Sequence, residues 1–383
     1  MSLEKKEKKS ILQMDVGDIF KAFKKKKQNK KDEKKESHKV KKVISKKAVS
    51  IDIGSENTKV VVGRYYKNKV TIEKAFEFKT PIGIIDDGHI KNIDELGMTL
   101  NDNLALHKVK ADNIIFTTNS TSIINRTIVV PKVTEEEIES VIRYEVQQYL
   151  PIKLEEHMVQ YNILGEKIVD GKEKLEVLIV VYPNKMIFSY AELVNILGGK
   201  PYALDVNYNS QRKAYYVMNP EINETILSMD IGEESIDLTV IKNNELILMK
   251  RINSGGKYLN SQIAKTMGIS LENAETQKRE NCNLMSRDEG SLEHCVRDVV
   301  DMWFDEAIRI IKYYKSKNTH STIDKIYLCG GSSNIKGLER YIAAKLDLRA
   351  KILQENSNIE FKKGVEEVKV SEYINAIGAL IRL

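Results

Sequence analysis

The sequence predicts an α/β fold built as two similar halves, and three observations predict it. Ser50-Ile51-Asp52-Ile53-Gly54 recurs 178 residues later as Ser228-Met229-Asp230-Ile231-Gly232. Each copy ends an apolar strand and opens a short polar loop, a second β-rich strand and an Asn-containing turn. Helical patterns fill the chain between the copies and after the second. A repeat of this kind reads as two related α/β units that bury their apolar faces together.

The elements follow in order. Residues 48–53 and 57–66 are strands by their Val and Ile content, 67–69 is a polar turn, and 70–78 alternates as a third strand. The second copy places strands at 225–231, 235–241 and 246–252, with turns at Glu233-Glu234 and Asn243-Asn244. Between them, 134–149 reads as a helix. Thr134-Glu135-Glu136-Glu137 has capping-box spacing, and Ile138, Val141, Ile142, Glu145 and Tyr149 recur at helical steps before Pro151. The apolar run 177–182 reads as a buried strand, and 185–197 as a helix closed by Gly198-Gly199. Further helices are expected at 257–267, 291–317 and 337–346, with a strand at 322–329 that ends in Gly330-Gly331.

Composition narrows the class. The chain has 383 residues, of which 42% are hydrophobic and 30% charged. No apolar run approaches the roughly 18–20 residues of a membrane helix, and Asp15 and Asp18 interrupt any secretory signal. Cys282, Cys295 and Cys329 lack metal-ligand spacing, and a reducing cytoplasm is the expected compartment. Residues 1–47 hold 18 lysines and 7 acids, leaving 43 basic and 48 acidic residues in the rest. The basic excess therefore belongs to a tail, and the body is not that of a nucleic-acid binder. The tail reads as largely disordered. Within it, Leu12, Val16, Ile19 and Phe23 share a helical face ahead of Lys24–Lys27. Residues 11–27 are thus either part of a solvated tail or an amphipathic segment that docks on an anionic membrane.

The loops carry the chemistry. In an Asp-x-Gly turn the glycine lets the backbone approach a ligand, and its N–H groups can face phosphate. The aspartate can hold Mg²⁺ directly or through water. One such turn means little, but two on repeated strand units can clamp a phosphate chain from both sides. Lys59 is placed to reach a β- or γ-phosphate, or else is a solvated strand residue. Gly330-Gly331-Ser332-Ser333-Asn334 offers bare backbone to a flat base. No Walker-type phosphate loop is present.

This layout resembles the actin-like ATPase superfamily (ribonuclease H-like fold). Several stretches resemble the PilM family of type IV pilus assembly proteins within its FtsA-like branch. They are 52–59, Arg143–Pro151 (RYEVQQYLP), Leu197–Asp205 (LGGKPYALD), Gly255-Gly256, Ala274–Lys278 (AETQK) and Gly330–Ser333, and the resemblance spans residues 47–383. It implies ATP or ADP with Mg²⁺ in the cleft between the lobes. Asp52, Gly54, Ser55, Glu56, Asn57 and Lys59 would form the first phosphate loop, and Asp230, Gly232, Glu233, Glu234 and Ser235 the second. Asp52 and Asp230 would hold Mg²⁺ through water. Gly255, Gly256, Glu275 and Lys278 would meet the nucleoside, with Glu275 near the ribose. Gly330, Gly331, Ser332 and Asn334 would form the adenosine loop, and Asp205 would position a water. The implied domains are a tail at 1–47, a first lobe at 48–81 and 182–222, an inserted FtsA-type subdomain at 82–181, and a second lobe at 223–383. Glu233-Glu234 departs from the Gly/Thr-rich loops of the FtsA branch, so at most slow hydrolysis is expected.

The resemblance implies an adaptor at the inner face of the cell membrane that captures the cytoplasmic N-terminal peptide of a PilN-like bitopic membrane protein. Other pilus assembly subunits and further copies of the chain are additional expected partners. The alternatives are an FtsA- or MreB-like filament former and an actin-fold metabolic kinase. For the kinase, no base or sugar-pocket motif is visible.

Overall fold

The computed structural model describes residues 46–382, except 135, 221–222, 287–289, 318–321 and 355. The expected amphipathic segment at 11–27 lies outside the described residues. The chain opens with β1 (Ala48–Ile53), β2 (Asn57–Tyr66) and β3 (Lys69–Lys79), a short hairpin of β4 (Ile85–Asp86) and β5 (His89–Ile90), helix α1 (Ile93–Leu106) and β6 (Asn113–Thr118). Next come β7 (Ile124–Pro131), α2 (Ile138–Tyr149), β8 (His157–Val169) and β9 (Lys172–Pro183). These are followed by α3 (Asn184–Ile196), β10 (Lys200–Val206) and α4 (Asn207–Met218). The second repeat begins with β11 (Thr225–Ile231), β12 (Ile236–Lys242) and β13 (Glu245–Ile252), then α5 (Gly256–Met267), α6 (Leu271–Glu280) and α7 (Ser291–Lys317). The chain closes with β14 (Lys325–Cys329), α8 (Leu338–Leu346), β15 (Arg349–Ile352), β16 (Ile359–Phe361) and α9 (Val370–Leu380).

The repeat is real at atomic detail. β1 pairs antiparallel with β2 and parallel with β6, while β11 pairs antiparallel with β12 and parallel with β14. β1 and β11 are buried at every position, as strands covered on both faces must be. The second hairpin of each unit turns on two residues of positive φ: Lys67 and Asn68 at 47° and 63°, Asn243 and Asn244 at 50° and 62°. Two consecutive left-handed residues match the twist of antiparallel strands, and asparagine tolerates them well. The two main sheets run β10-β6-β1-β2-β3-β16 and β13-β12-β11-β14-β15.

The expected domain boundaries need correcting. α1 and β6 belong to the first lobe, because β6 pairs with β1 and β10 and its Ile114, Ile115 and Phe116 lie in that lobe's core. The insertion is therefore the segment from β7 to β9, a three-stranded sheet β7-β9-β8 under α2 with a core of its own. At the other end, β16 pairs with β3, and Val370 to Ile381 pack into the first lobe's core. The second lobe accordingly ends near β15. The helix expected from 134 starts at Ile138. Glu137 turns back to accept both the backbone N–H of Thr134 (3.2 Å) and its hydroxyl (2.8 Å), so Thr134 closes a turn rather than capping the helix. Ile138, Ile142 and Val146 then face the insertion's core, with Tyr144 and Tyr149 exposed.

Helices α4 and α9 join the two lobes. They cross so closely that a Cβ on Gly378 would lie 1.9 Å from the carbonyl oxygen of Ser210. Only glycine permits that approach.

Candidate functional site

The two Asp-x-Gly turns are copies of one another. Gly54 N donates to Asn57 O (3.1 Å) and Gly232 N donates to Ser235 O (3.0 Å). Ser55 and Glu56 occupy the first turn as Glu233 and Glu234 occupy the second. Glu56 faces away to Lys79, and Glu234 lies 3.6 Å from Lys257, so both of these carboxylates turn outward. Asp52 and Asp230, each 8% exposed, end β1 and β11 and come together across the cleft.

One side chain touches both. Asn375, on α9, donates from Nδ2 to Asp52 Oδ2 (3.4 Å) and to Asp230 Oδ2 (3.1 Å). Gln211, on α4, donates to Asp230 Oδ2 (2.8 Å) and to Asn375 Oδ1 (3.0 Å). Thr117, at the end of β6, donates to Asp52 Oδ1 (2.8 Å). Burial pushes the Asp230 carboxyl up to about 6, and Asp237, its cross-strand neighbour, adds to the rise. Burial also raises Asp52, with Lys59 working against it. Lys59 pairs with Asp52 across β1 and β2 and holds its Nζ 5.8 Å from the ring centre of Tyr373. Two buried carboxylates held by neutral amides and a hydroxyl, with one lysine nearby, form a donor set that suits a divalent cation and its waters.

The remaining loops close around Gly232. Gly256 N donates to Gly232 O (2.9 Å) and Lys257 N to Glu233 O (2.8 Å), so the start of α5 is stitched to the second turn. A Cβ on Gly256 would lie 2.4 Å from Ser332 Oγ and 2.7 Å from Glu233 Oε2, while one on Gly255 would meet the Gly232 and Glu233 carbonyls. Glu233 therefore points inward, and burial raises its carboxyl despite Lys278. Gly330 lies against Asp230 Oδ1, and Gly331 begins the 3₁₀ turn that ends at Asn334. Asn334 donates to Glu372 at the start of α9 (2.8 Å). Glu275 accepts from Asn260 (2.6 Å), Lys278 and Arg279; burial would raise its carboxyl, yet these bonds hold it down at about 2. At the rim, Arg251 ties the lobes by donating to Asp237 (2.8 Å) and to Asp87 (2.9 Å) in the β4–β5 turn.

Asp205 corrects the expectation of a water-positioning residue. It is 0% exposed, and its Oδ1 accepts from Val206 N (2.9 Å) and Asn209 Nδ2 (2.8 Å). Its Oδ2 accepts from Ser210 Oγ (3.0 Å) and Lys213 Nζ (2.6 Å). Four donors occupy the carboxylate, which forms a core ion pair instead of facing a water in the cleft.

Sequence reasoning missed Thr117, Gln211 and Asn375. The signal for Asn375 was an amide set among Ile, Ala and Gly in a helix whose other polar residues, Ser371 and Glu372, lie in its first turn.

Comparisons with known proteins bear on the fold and the family. A PilM–PilN type IV pilus biogenesis complex matches at TM-score 0.74 and 20% identity, over 87% of this chain and 97% of that one. The ethanolamine utilization protein EutJ of Carboxydothermus hydrogenoformans matches at TM-score 0.51 and 13% identity, over 88% and 89%. MreB5 of Spiroplasma citri, bound to ADP, matches at 0.50 and 13%, over 87% and 94%. These likenesses show an actin-like ATPase fold. The sequence model described as type IV pilus assembly protein PilM matches residues 50–382. The chain belongs to the PilM family of type IV pilus assembly proteins.

Proposed function

We propose that this chain binds ATP or ADP with Mg²⁺ between Asp52 and Asp230. In that state it captures the N-terminal cytoplasmic peptide of a PilN-like membrane protein at the inner face of the cell membrane. The observation that carries the nucleotide reading is the meeting of two aspartates, from two copies of one turn, on the single amide of Asn375. The partner reading rests on family membership and on the likeness to a PilM–PilN complex.

Mg²⁺ bound there would neutralise the two carboxylates and the phosphates they face. Asp52 and Asp230 would hold the ion through its waters, and Lys59 would meet a terminal phosphate. The Gly54–Asn57 and Gly232–Ser235 turns would cradle the phosphate chain. Gly255, Gly256, Ser332 and the Glu275–Lys278 pair would bound the nucleoside. Glu233 points toward the same space, so nucleotide entry requires its carboxylate to turn aside or to be neutralised. With Asp205 engaged in the core, the expected turnover is negligible, and the nucleotide acts as a ligand that favours one arrangement of the lobes.

Calorimetry of Mg·ATP binding tests this, with Asp52→Ala and Asp230→Ala beside the parent and ADP release followed in the same cells. Binding that both substitutions abolish supports the reading, whereas binding that survives both places the nucleotide elsewhere. A peptide copying the N-terminus of the PilN-like partner should bind one to one in the presence of nucleotide.

A further inference from the structure

We propose a second ligand site behind the hinge, where a cavity of about 40 Å³ takes an oxyanion group, a carboxylate or a phosphate, against Arg212. Arg212, Tyr215 and Tyr216 of α4 line it together with Glu224, Asn244 and Tyr327. At roughly 10–15 Å³ per water-sized body, the space holds about three such bodies, the size of one carboxylate.

Among the described residues, Arg212 hydrogen-bonds to no carboxylate. Arg212 is 4% exposed. Its Nε donates to Asn209 Oδ1 (3.1 Å), and its Nη1 donates to Asn244 O (2.9 Å) and Oδ1 (2.6 Å). All three acceptors are neutral. Nη2 is buried and, among the described residues, donates to nothing. Burial lowers the guanidinium pKa to about 10, against the pull of Asp205 and Glu245. A buried cation is ordinarily paired, and arginine's planar fork suits a two-oxygen anion. The acid at the rim, Glu224, is already paired with Lys325 (2.8 Å). Stacking of Tyr215 on Tyr327, with centroids 5.1 Å apart, gives the cavity a rigid aromatic wall.

The cavity is also wired to the front of the molecule. The Tyr215 hydroxyl lies 3.0 Å from Ser228 Oγ, which donates to Gln211 Oε1 (2.9 Å). The same Gln211 amide donates to Asp230.

The test needs no nucleotide. Thermal unfolding of the full chain is followed during titration with sodium acetate and, separately, with sodium phosphate, at an ionic strength held constant with sodium chloride. The midpoint should rise and saturate in at least one series, and the stronger series names the anion class. The rise should be lost in Arg212→Gln. It should appear at lower concentration in Glu224→Gln, which removes a like charge. A rise of equal size in the parent and Arg212→Gln, or no rise in either series, overturns the site. Should Arg212→Gln fail to fold, Glu224→Gln decides alone, and a titration curve unchanged from the parent's overturns it.

Discussion

At the scale of residues, the cleft is organised by amides rather than by charges. Asn375 and Gln211 donate to carboxylates whose hold on a proton burial strengthens, and this has a pH consequence. The Asp230 carboxyl is raised to about 6 from an unfolded value of about 3.9, so the folded state binds a proton more tightly than the unfolded chain. Stability should therefore rise as pH falls from about 7 toward 4, and Asp52 acts in the same direction. The pH dependence of the thermal midpoint should flatten in Asp230→Asn. Mg·nucleotide binding should weaken over the same fall in pH, because the proton competes with the cation. Asp205 makes a different prediction. Asp205→Asn leaves Lys213 buried opposite an amide and should cost about 3–5 kcal/mol in denaturant unfolding. If Asp205 instead served a water in the cleft, stability would hold and ADP release would fall. The aspartates and glycines were legible in the sequence because each sits in a short motif that is copied. Asn375 and Gln211 were not, since their role depends on two helices that cross only after folding.

At the scale of elements, the α4–α9 crossing sets how the lobes meet. Gly378→Ala forces a methyl group against the Ser210 carbonyl, and overpacking of this kind costs roughly 1–3 kcal/mol or more. The substitution should lower the denaturation midpoint and weaken nucleotide binding together, because the crossing carries both amides. On the rim, Arg251→Met removes the tie between Asp237 and Asp87 and leaves Asp237 without its closest cation. Faster nucleotide exchange in a stopped-flow release assay is the expected outcome. The six strands of the two repeats were legible to within a residue or so, because alternation and turn residues are local. Residues 370–380 were not: all but Glu372 are buried, and what covers them lies far away in the chain. β16 escaped because three residues give no pattern, and its place is fixed by β3, nearly 300 residues earlier.

At the scale of the whole molecule, charge and fold separate. The lysine excess lies in residues 1–47, whereas the cores of both lobes are built from residues 48 onward. Deleting 1–45 should leave the nucleotide affinity unchanged in calorimetry. The duplicated architecture was readable from one repeated pentapeptide, whereas the domain boundaries were not. A linear reading assigns each stretch to the lobe of its neighbours, and the chain instead returns at its end to the lobe where it began.

That return ties folding to the order of synthesis. The first lobe is translated first, yet its edge strand β16 and the helix α9 emerge only after the second lobe. Until residue 380 clears the ribosome, Val60, Val61 and Ile115 belong to a core that still lacks Tyr373, Ile374, Ile377 and Leu380. At about 1.5–3 kcal/mol for each large apolar side chain, that deficit rivals the 5–15 kcal/mol by which whole domains are stable. The amino-terminal half of the nascent chain should therefore remain protease-sensitive when translation is stalled at residue 350, and should become resistant once α9 has cleared the ribosome. Completion of α9 is thus the event that commits the first lobe, so a chain that stops short of residue 370 loses its beginning as well as that helix.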